Sequence, residues 1–511
     1  NVQILSSNLV QNGDFSEEGV QEVSNGSFSE EGVQEVSNGS FSQEGAQLVT
    51  NGDFATDSDW SKGTGWSISG GSANCDGTQT SATNLIQNGL ALGTGKIFKI
   101  TFQLKDYQAG KLIYVNLTGT GTLDFENVNA NGTYVAYSGL STGDNFITFR
   151  ADADFIGSID NVSIREVGQD WSLGTGWSIG EDKAISDGTT ENLDQDALTI
   201  GKSYKAQFTV SDLTTGTLSF RLGGTNQIIN INSNGTYTAY GVANGVTLRL
   251  RSQSGFDGSI TNISVKEVGM DWDLSGLTTI GDDVASFVDN GTNANSSVIQ
   301  DNVVLPNTTY QLTFDIVRYA LGALQISVGN SSYINDNLAQ GVGTYSLYVT
   351  SGAGSRIEIK RNGLVPNFDF DITNISVKEV GMDWIVGSDW SIEENKAVSS
   401  GSGNNLQQTI NISSNKTYKL TFDVISTSST LFFDLGGAAA KTLTDSGSKE
   451  YYFQSVNTNN LRFYGSNYYG EITNISVIEI TDDTNLPRIS YENFSYQDVL
   501  GSEQIVNGSF E

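Results

Sequence analysis

The reactive side chains of this chain are carboxylates, aromatic rings and a single thiol. Histidine is absent from the 511 residues, and Cys75 is the one cysteine. Without imidazole, a Ser-His-Asp triad, a Cys-His pair and a histidine zinc site are all excluded. Carboxylate-pair catalysis is not excluded, but no acidic pair recurs beside an aromatic cleft signal. We therefore expect a protein that is not an enzyme, with Cys75 as a buried and unreactive thiol.

The balance of charge narrows the range of partners. Asp and Glu number 58 against 26 Lys and Arg, a formal net charge of −32. A surface this acidic repels nucleic-acid phosphates and anionic membranes, so neither is an expected partner. The sequence has no run of ~20 apolar residues, so membrane insertion is not expected either. A lone cysteine excludes an intramolecular disulfide framework, which leaves sheet packing or oligomerisation as the source of stability.

One phrase ends four successive blocks of the sequence, as Ile-Asp-Asn-Val-Ser-Ile in the first and Ile-Thr-Asn-Ile-Ser-Val in the others. Its central asparagines stand at 161, 262, 374 and 474, in steps of 101, 112 and 100 residues. Such steps suit whole small domains and are too long for the coils of a solenoid. We place the four domains at 48–168, 169–269, 270–381 and 382–480, followed at 481–511 by a connector and the start of a further unit.

Each block has a strand in which apolar and polar residues alternate strictly, such as Tyr418–Val424. This is the period of a strand with one face in a core. Gly-rich turns separate further short strands, and no helical periodicity is seen, so each block is predicted to be an antiparallel β-sandwich. The segment Gly168–Trp171 joins two blocks without a linker. Neighbouring domains are therefore expected to abut as a stiff rod.

A shorter repeat occupies residues 1–47 and continues into the first domain. Ser16–Phe28, Ser29–Phe41 and Ser42–Phe54 are copies of thirteen residues, and 3–15 is a looser copy. Each has a small apolar strand, an Asn-Gly turn that suits positive φ, and a Phe. One copy cannot bury its apolar face alone. Two interpretations stay open: a β-structured stalk or oligomerisation collar, and loosely ordered duplicates of the first strand of a domain.

The second interpretation bears on the later domains. Only the first domain keeps an Asn-Gly-Asp-Phe strand directly before its opening Trp60. Domains two to four are therefore expected to have shed or shared that strand.

Four segments together resemble the jelly-roll carbohydrate-binding module family. They are Leu48–Phe54, the Gly-Trp-Ser-Ile strand, the Tyr-Lys-Leu-Thr-Phe-Asp-Val strand and the closing Ile-Asp-Asn-Val-Ser-Ile strand. They are especially similar to divergent copies in tail-fibre and other appendage proteins of marine phages. The resemblance spans roughly residues 48–480. It implies tandem jelly-roll β-sandwich domains preceded by a short-repeat, β-rich stalk, and the analogy with phage fibres implies a trimer.

Two ligand sites are predicted. Tryptophan rings can stack on sugars, but their places in alternating strands and at domain joints favour a structural role. Tyr468 and Tyr469, beside a glycine in the densest aromatic group, are expected to be exposed and to bind glycans. The family resemblance implies a structural Ca²⁺ where the first and last strands meet, and Asp53 and Asp160 match those positions. The later domains carry threonine in place of Asp160, so calcium is expected in the first domain only.

These features predict a structural and adhesive protein, a repeat-built rod on a phage virion appendage such as a tail fibre. Its expected partners are copies of itself, other virion or fibre proteins and host surface glycans. Tethered modules raise the effective concentration, so several weak sites bind well together. Its expected location is a virion appendage or the extracellular space. Two alternatives stay open: a bacterial extracellular fibre or matrix subunit assembled by strand addition, and the non-catalytic part of a polysaccharide-degrading enzyme.

Overall fold

The computed structural model describes most of the chain. It covers residues 4–5, 7–117, 125–142, 145–225, 227–289, 295–334, 341–363, 365, 367–456 and 460–481. Every regular element in these ranges is a strand, which confirms the all-β fold class. No helix in this part of the chain is long and apolar enough to cross a membrane. The predicted connector and further unit occupy 481–511, and all of this segment after Thr481 lies outside the described residues.

The chain divides into two compact units. Unit A consists of Ser27–Val298 and Pro366–Thr373, and unit B consists of Asn1–Gly26, Ile299–Val365 and Asn374–Glu511. Unit A holds the first two predicted domains, here called sandwiches 1 and 2, and part of the third block. Unit B holds the rest of the third block and all of the fourth. The whole third block is called sandwich 3, and the fourth is called sandwich 4.

Sandwich 1 has two antiparallel sheets around one core. In spatial order, the first sheet contains Gly132–Tyr137, Ile97–Ala109, Ile156–Val167, Ser72–Asp76 and Trp66–Ser69, and the second contains Glu126–Val128, Leu112–Leu117, Phe146–Ala151, Thr83–Asn88 and Ser61–Lys62. Along Ile97–Ala109, alternate residues are buried, as the sequence pattern predicts. The buried ring of Phe102 meets that of Phe149 in the other sheet, with centroids 5.1 Å apart. The alternation therefore closes the two sheets on each other.

Two long strands, Ser203–Leu222 and Thr247–Val268, join sandwich 2 into one hydrogen-bonded sheet. Its other strands are Glu31–Gln34, Ser172–Leu173, Trp177–Gly180, Lys183–Asp187, Asn192–Asp196, Gln227–Ile231 and Gly235–Val242. Phe208 and Phe220 lie on the same strand, yet their rings stack at 5.0 Å. A straight strand would separate them by roughly 40 Å. The strand therefore bends over the core, near the register shifts between Ser211 and Thr217.

Sandwich 4 repeats the plan of sandwich 1. Its first sheet contains Trp390–Glu393, Lys396–Ser402, Ser466–Thr481, Thr417–Thr427 and Gly447–Gln454, and its second contains Ile385–Val386, Leu406–Thr409, Asn460–Tyr464, Leu431–Leu435 and Lys441–Leu443. The ring of Phe422 lies 5.1 Å from Phe433 and 5.1 Å from Phe463, both in the opposite sheet. One aromatic cluster thus fills the space between the layers.

The strands of sandwich 3 are divided between the two units. Unit A holds Asp273–Ser275 and the hairpin Thr278–Gly281 and Val284–Val288, which pairs with residues 369–372. Unit B holds Thr309–Leu321, Leu324–Val328, Gly343–Thr350 and Ile357–Arg361. Ser297–Gln300 and Asp369–Val380 each continue from unit A into unit B.

The joint between sandwiches 1 and 2 is a tight turn. Gly168 and Asp170 have φ of 72° and 73°, and the Trp171 N–H donates to the Gly168 carbonyl at 3.3 Å. A Cβ on Gly168 would lie 2.8 Å from Cγ1 of Ile179 in the next sandwich, so only glycine fits. The same turn recurs at Gly269–Trp272 and Gly381–Trp384. Consecutive sandwiches meet closely at these turns, as predicted, while stiffness stays a prediction.

Candidate functional site

The thirteen-residue repeats are strands of the sandwiches. We number them repeat 1 (3–15), repeat 2 (16–28), repeat 3 (29–41) and repeat 4 (42–54). Their strands are Ile4–Leu5, Glu18–Gln21, Glu31–Gln34 and Glu44–Gln47. Each pairs antiparallel with the last strand of one sandwich, called its closing strand, and the order is reversed. Repeat 4 pairs with Ile156–Val167, repeat 3 with Thr247–Val268, repeat 2 with Asp369–Val380 and repeat 1 with Ser466–Thr481.

This arrangement decides between the alternatives that the sequence leaves open. The described part of the repeats does not form a separate stalk or collar, because each repeat lies in a sandwich. Of the two interpretations, duplicates of a domain's first strand agrees with the pairing. Sandwiches 2 to 4 have not shed that strand, since the N-terminal repeats supply it. We call the surface of a sandwich that receives a repeat its groove.

The Asn-Gly turn of each repeat positions a phenylalanine in the groove. In repeat 3, Asn38 and Phe41 have φ of 47° and 56°, and the Phe41 N–H donates to the Asn38 carbonyl at 3.1 Å. Positive φ costs a bulky residue about 1–2 kcal/mol. Burial offsets this cost, because the Phe41 ring is 1% exposed and lies 5.3 Å from Trp171. Burying such a ring contributes about 1.5–3 kcal/mol.

The glycine of the turn is required by the close approach of the closing strand. The positive φ falls on the asparagine. The Ile263 N–H donates to the Gly39 carbonyl at 2.9 Å. A Cβ on Gly39 would lie 1.9 Å from the Ile263 carbonyl oxygen. The corresponding distances at Gly13, Gly26 and Gly52 are 2.0, 2.0 and 2.1 Å.

The recurring asparagine of the closing phrase makes the groove. In sandwich 2, Asn262 has φ of 54° in the middle of its strand, and the pairing with Gln207 and Thr209 shifts register there. This is a β-bulge, and asparagine tolerates left-handed backbone better than most residues. The bulge frees the N–H and C=O of Ile263 for repeat 3. Equivalent asparagines are Asn161, Asn374 and Asn474, each with φ of 53°.

A glutamine of the repeat binds the freed backbone groups. Gln34 Oε1 accepts from the Val265 N–H at 2.7 Å, and Gln34 Nε2 donates to the Ile263 carbonyl at 3.3 Å. Gln21 and Gln47 make the same pair of bonds in sandwiches 3 and 1. In repeat 1, Asn8 Oδ1 accepts from the Val477 N–H at 3.0 Å. These bonds satisfy polar groups that the bulge removes from the ladder.

A second glutamine, from the opposite layer of the sandwich, holds the repeat from the other side. Gln195 Oε1 accepts from the Ser37 N–H at 2.8 Å, and Gln195 Nε2 donates to the Ser37 carbonyl at 3.0 Å. The indole N–H of Trp171 donates to the Asn38 carbonyl at 3.1 Å. The equivalent glutamines are Gln87, Gln300 and Gln408. Sequence reasoning missed all four, although a Gln in an otherwise apolar strand position was the available signal.

Ion pairs fix the start of the repeat. Glu31 lies 2.5 Å from Lys205 and 2.9 Å from Lys266. Hydrogen bonds from these two lysines hold the pKa of Glu31 below its ordinary value. Glu44 pairs with Lys99 at 2.7 Å, and Glu18 with Lys378 at 2.8 Å. Exposed pairs contribute only about 0–1 kcal/mol each, so they set position more than stability.

The seven tryptophans have structural places, and none presents an exposed ring. They are Trp60, Trp66, Trp171, Trp177, Trp272, Trp384 and Trp390, all buried. Those at the domain starts pack against the phenylalanines of the repeats. The pairs Phe54–Trp60, Phe41–Trp171, Phe28–Trp272 and Phe15–Trp384 have centroid distances of 5.1, 5.3, 5.4 and 5.3 Å.

The predicted glycan-binding pair is separated by the strand. Tyr468 is 0% exposed, its ring lies 5.8 Å from Trp390, and burial raises its pKa to about 12. The expectation that Tyr468 is exposed is therefore wrong, because neighbouring strand residues face opposite sides. Tyr469 is 53% exposed and covers Gly401, where a Cβ would lie 2.4 Å from its Cζ. Glycan binding at this face stays a prediction, now carried by Tyr469.

The predicted calcium ligands have other partners. Asp160 is 8% exposed, and its Oδ2 lies 2.5 Å from Lys105 Nζ. Asp53 is exposed, and its Oδ1 accepts from the Ala55 N–H at 3.4 Å. Among the described residues, no group of three or more Asp, Glu, Cys or His could hold a metal ion. Calcium at Asp160 would require Lys105 to move away, and the site stays a prediction.

A polar pocket of about 630 Å³ flanks repeat 3 in sandwich 2. Its lining includes Glu35, Asp170 and Asp196, with Arg249 held by Asp194 through bonds of 2.8 and 2.6 Å. Carboxylates and a guanidinium are groups that hydrogen-bond hydroxyls. A pocket of about 370 Å³ lies at the equivalent place in sandwich 4.

Cys75 is buried as expected, and its Sγ donates to Gln79 Oε1 at 3.4 Å. Burial raises the pKa of the Cys75 thiol to about 11. The reactive thiolate is therefore scarce at neutral pH.

Comparisons with known proteins found weak similarities in sequence and structure. No protein-family model matches the chain, and no curated protein matches it. One similar solved structure is the N-terminal CBM22-1-CBM22-2 tandem domain from Paenibacillus barcinonensis Xyn10C, at 12% identity and a TM-score of 0.20, over 44% of this chain and 98% of that one. Another is a Paenibacillus xanthan lyase, at 9% identity and a TM-score of 0.18, over 82% of this chain and 55% of that one. Likenesses this low carry no inference about function.

Proposed function

We propose that this chain is a non-catalytic structural array of β-sandwiches that presents weak carbohydrate-binding surfaces outside the cell. The observation that carries the proposal is the seating of the four N-terminal repeats in the four sandwiches in reverse order. Each repeat adds a buried phenylalanine to a core that is otherwise incomplete. The same contacts recur in every domain, as expected of a structural array.

The repeats add a second covalent link between neighbouring sandwiches. Sandwiches 1 and 2 are joined once by the turn Gly168–Trp171 and once through repeats 3 and 4, which meet at the Phe41–Ser42 bond. Two links leave less freedom of rotation than one short linker. The array is therefore suited to holding surfaces in a fixed order, as a fibre or appendage requires.

Small-angle scattering tests this bracing. Gly39→Ala prevents repeat 3 from seating, so the second link between sandwiches 1 and 2 loses its anchor. We expect the scattering of this variant to show a broader range of distances than the wild type. Ser40→Ala is the matched control, because the Ser40 side chain is exposed and its hydroxyl lies 2.8 Å from that of Ser42. Identical scattering from all three proteins would contradict bracing by the repeats.

Carbohydrate binding is the adhesive part of the proposal. It is supported by the exposed ring of Tyr469 and by the polar pockets beside the repeats. On a glycan array, we expect Tyr469→Ala to lower binding by about threefold to tenfold, since a ring contact contributes about 0.5–1.5 kcal/mol. Tyr452→Ala removes a similarly exposed tyrosine of sandwich 4 and serves as the control. Equal binding by wild type and Tyr469→Ala would remove Tyr469 from the site.

The setting we propose is a phage virion appendage in which copies of the chain form a trimer with other virion proteins. Imaging of intact particles with a labelled antibody would test the location, and analytical ultracentrifugation would test the trimer. A label on a bacterial surface instead would favour an extracellular fibre or matrix.

Structural calcium in sandwich 1 is a further part of the proposal. A chelator is then expected to lower the melting temperature of sandwich 1 alone, and Asp160→Thr, the residue found in the other sandwiches, is expected to abolish that response. Unchanged melting of sandwich 1 would speak against calcium.

A further inference from the structure

Repeats 2 and 3 are identical in sequence. Ser16–Phe28 and Ser29–Phe41 both read Ser-Glu-Glu-Gly-Val-Gln-Glu-Val-Ser-Asn-Gly-Ser-Phe. They nevertheless occupy the grooves of different sandwiches. A groove discriminates only by the residues that touch it, so sequence cannot assign repeat 3 to sandwich 2. Its covalent neighbours make that assignment.

The two grooves also offer matching contacts. Val265 and Val377 donate their N–H groups to Gln34 and Gln21 at 2.7 Å in both cases. Further matched contacts are the bonds from Ile263 to Gly39 and from Ile375 to Gly26, both at 2.9 Å, and the bonds of Ser37 and Ser24 to a buried glutamine at 2.8 and 2.9 Å. Either copy of the repeat therefore fits either groove.

The groove of sandwich 2 holds its repeat as a binding site holds a peptide. Gln34 and Ile263 are 229 residues apart in the chain, and the hydrogen bond between them is a non-covalent, long-range contact. Val36 and Phe41 are 4% and 1% exposed when seated, so the groove supplies an apolar pocket for each. Backbone bonds fix the register, apolar pockets receive Val36 and Phe41, and Glu31 adds charge recognition. When an extended peptide adds to the edge of a sheet, backbone hydrogen bonds commonly supply affinity and side-chain pockets supply specificity.

We propose that the groove of sandwich 2 recognises this thirteen-residue segment wherever it is presented, and that its partner is a second copy of the chain. A repeat 2 or repeat 3 of one molecule then completes a sandwich of another. The inference rests on the proposed structural function and names how copies are joined. The tether gives a molecule's own repeat a high effective concentration, so exchange follows release of that repeat.

The test uses the full chain with Gly39→Ala. The added Cβ would lie 1.9 Å from the Ile263 carbonyl oxygen, so repeat 3 cannot seat. Should the identical repeat 2 move into sandwich 2, the groove of sandwich 3 is vacated instead, and one groove per chain is open in either case. The probe is a fluorescein-labelled peptide with the sequence of Ser29–Phe41. We expect one peptide to bind per variant chain.

Controls decide whether the binding is specific. Wild type and Ser40→Ala, with occupied grooves, are expected to bind the peptide at least about tenfold more weakly. A peptide with alanine at the position of Gly39, and another with alanine at the position of Phe41, are expected to lose about tenfold or more in affinity. A folded Gly39→Ala chain that ignores the wild-type peptide would overturn the proposal.

A second measurement covers the case in which Gly39→Ala unfolds sandwich 2. Isotope-labelled and unlabelled wild-type chains are mixed, warmed to just below the melting temperature, cooled and weighed by native mass spectrometry. Oligomers of mixed mass are expected, and their absence after annealing would overturn exchange between copies. Different outcomes would contradict recognition of the repeat by the groove and bracing of the array by the repeats. Stability and scattering unchanged by Gly39→Ala contradict bracing, whereas lost stability without peptide binding or mixed oligomers contradicts recognition alone.

Discussion

Sandwiches 1 and 4 are completed by the same contacts, but the repeat that completes sandwich 1 is close in sequence and the repeat that completes sandwich 4 is distant. The indole N–H of Trp60 donates to Asn51, nine residues away, and that of Trp384 donates to Asn12, 372 residues away, both at 3.1 Å. The phenylalanine rings lie 5.1 and 5.3 Å from these tryptophans. Local chemistry therefore defines the groove, and the chain connection only decides which repeat arrives there.

The difference in distance has an energetic consequence. Closing a loop costs entropy that grows with the logarithm of its length, and the step from nine to 372 residues costs about 3 kcal/mol more. This cost largely disappears if repeats 4, 3 and 2 seat first, because repeat 1 then starts beside its groove. We infer that the sandwiches are completed in order from sandwich 1 to sandwich 4.

The largest effect is expected from alanine at the turn glycines. Gly13→Ala and Gly52→Ala each place a Cβ within about 2 Å of a carbonyl oxygen in the groove. Loss of the seated phenylalanine should cost each sandwich about 3–5 kcal/mol. Calorimetry would measure this, with Asp14→Ala and Thr56→Ala, at exposed nearby positions, as controls.

The two glycine variants should differ under protease. Gly13→Ala frees repeat 1 as a loose segment, so rapid cleavage within residues 7–15 is expected. Gly52→Ala leaves repeat 4 held between repeat 3 and Trp60, so cleavage there should be slower. Equal cleavage rates of the released repeat in the two variants would argue that its covalent neighbours do not hold it near its groove.

A smaller effect is expected from the amide side chains that bind the closing strand. Gln47→Ala in repeat 4 and Asn8→Ala in repeat 1 remove the acceptors of the Ile164 and Val477 N–H groups. Each loss should cost about 1 kcal/mol, similar in both sandwiches. Hydrogen exchange at these two amides would measure it, with the exposed Gln43→Ala as control. A clear difference between the sandwiches would mean that their grooves are not equivalent.

The order of completion can be tested through repeat 2. Gly26→Ala should release repeat 2 and lengthen the tether of repeat 1 by thirteen residues, about a doubling. Each doubling costs about 0.6 kcal/mol, so the Val477 amide should exchange about threefold faster. Asn8 and its bond to Val477 are untouched by this substitution. No change in exchange would show that the repeats seat independently.

The smallest expected effect is the weakening of a seated repeat at low pH. The pKa of Glu31 is lowered by Lys205 and Lys266, so its contribution is complete above the ordinary glutamate pKa of about 4.3 and disappears as pH falls through the lowered value. Repeat 1 carries Leu5 at this position. Between pH 6 and pH 3, the seating of repeat 3 should therefore weaken by about 0.2–1 kcal/mol more than that of repeat 1.

Hydrogen exchange of the Val265 and Val477 amides would compare the two seats, and Glu31→Gln should abolish the difference. Equal acid sensitivity in that variant and in wild type would contradict the role of Glu31.

The sequence was sufficient for the architecture and insufficient for the pairing. Alternation in strands such as Ile97–Ala109 is a local pattern, and it predicted the sandwiches and their joints. The destination of repeat 3 was not predictable, since a four-residue strand pairs with residues more than 200 positions away. Tyr468 shows a narrower error, because the prediction exposes both Tyr468 and Tyr469 although alternation buries one of two neighbouring strand residues.

The first repeat also determines how the molecule would respond to pulling. Ile4 pairs with Thr481 and Leu5 with Ile480, so tension applied between residues 4 and 481 opens the ladder one rung at a time. Sandwich 4 would yield first and sandwich 1 last, each releasing its repeat before the next is loaded. An optical trap attached at these two positions should then record a staircase of four extensions at low force. Tension between these two residues therefore releases the repeats in one direction, from sandwich 4 toward sandwich 1.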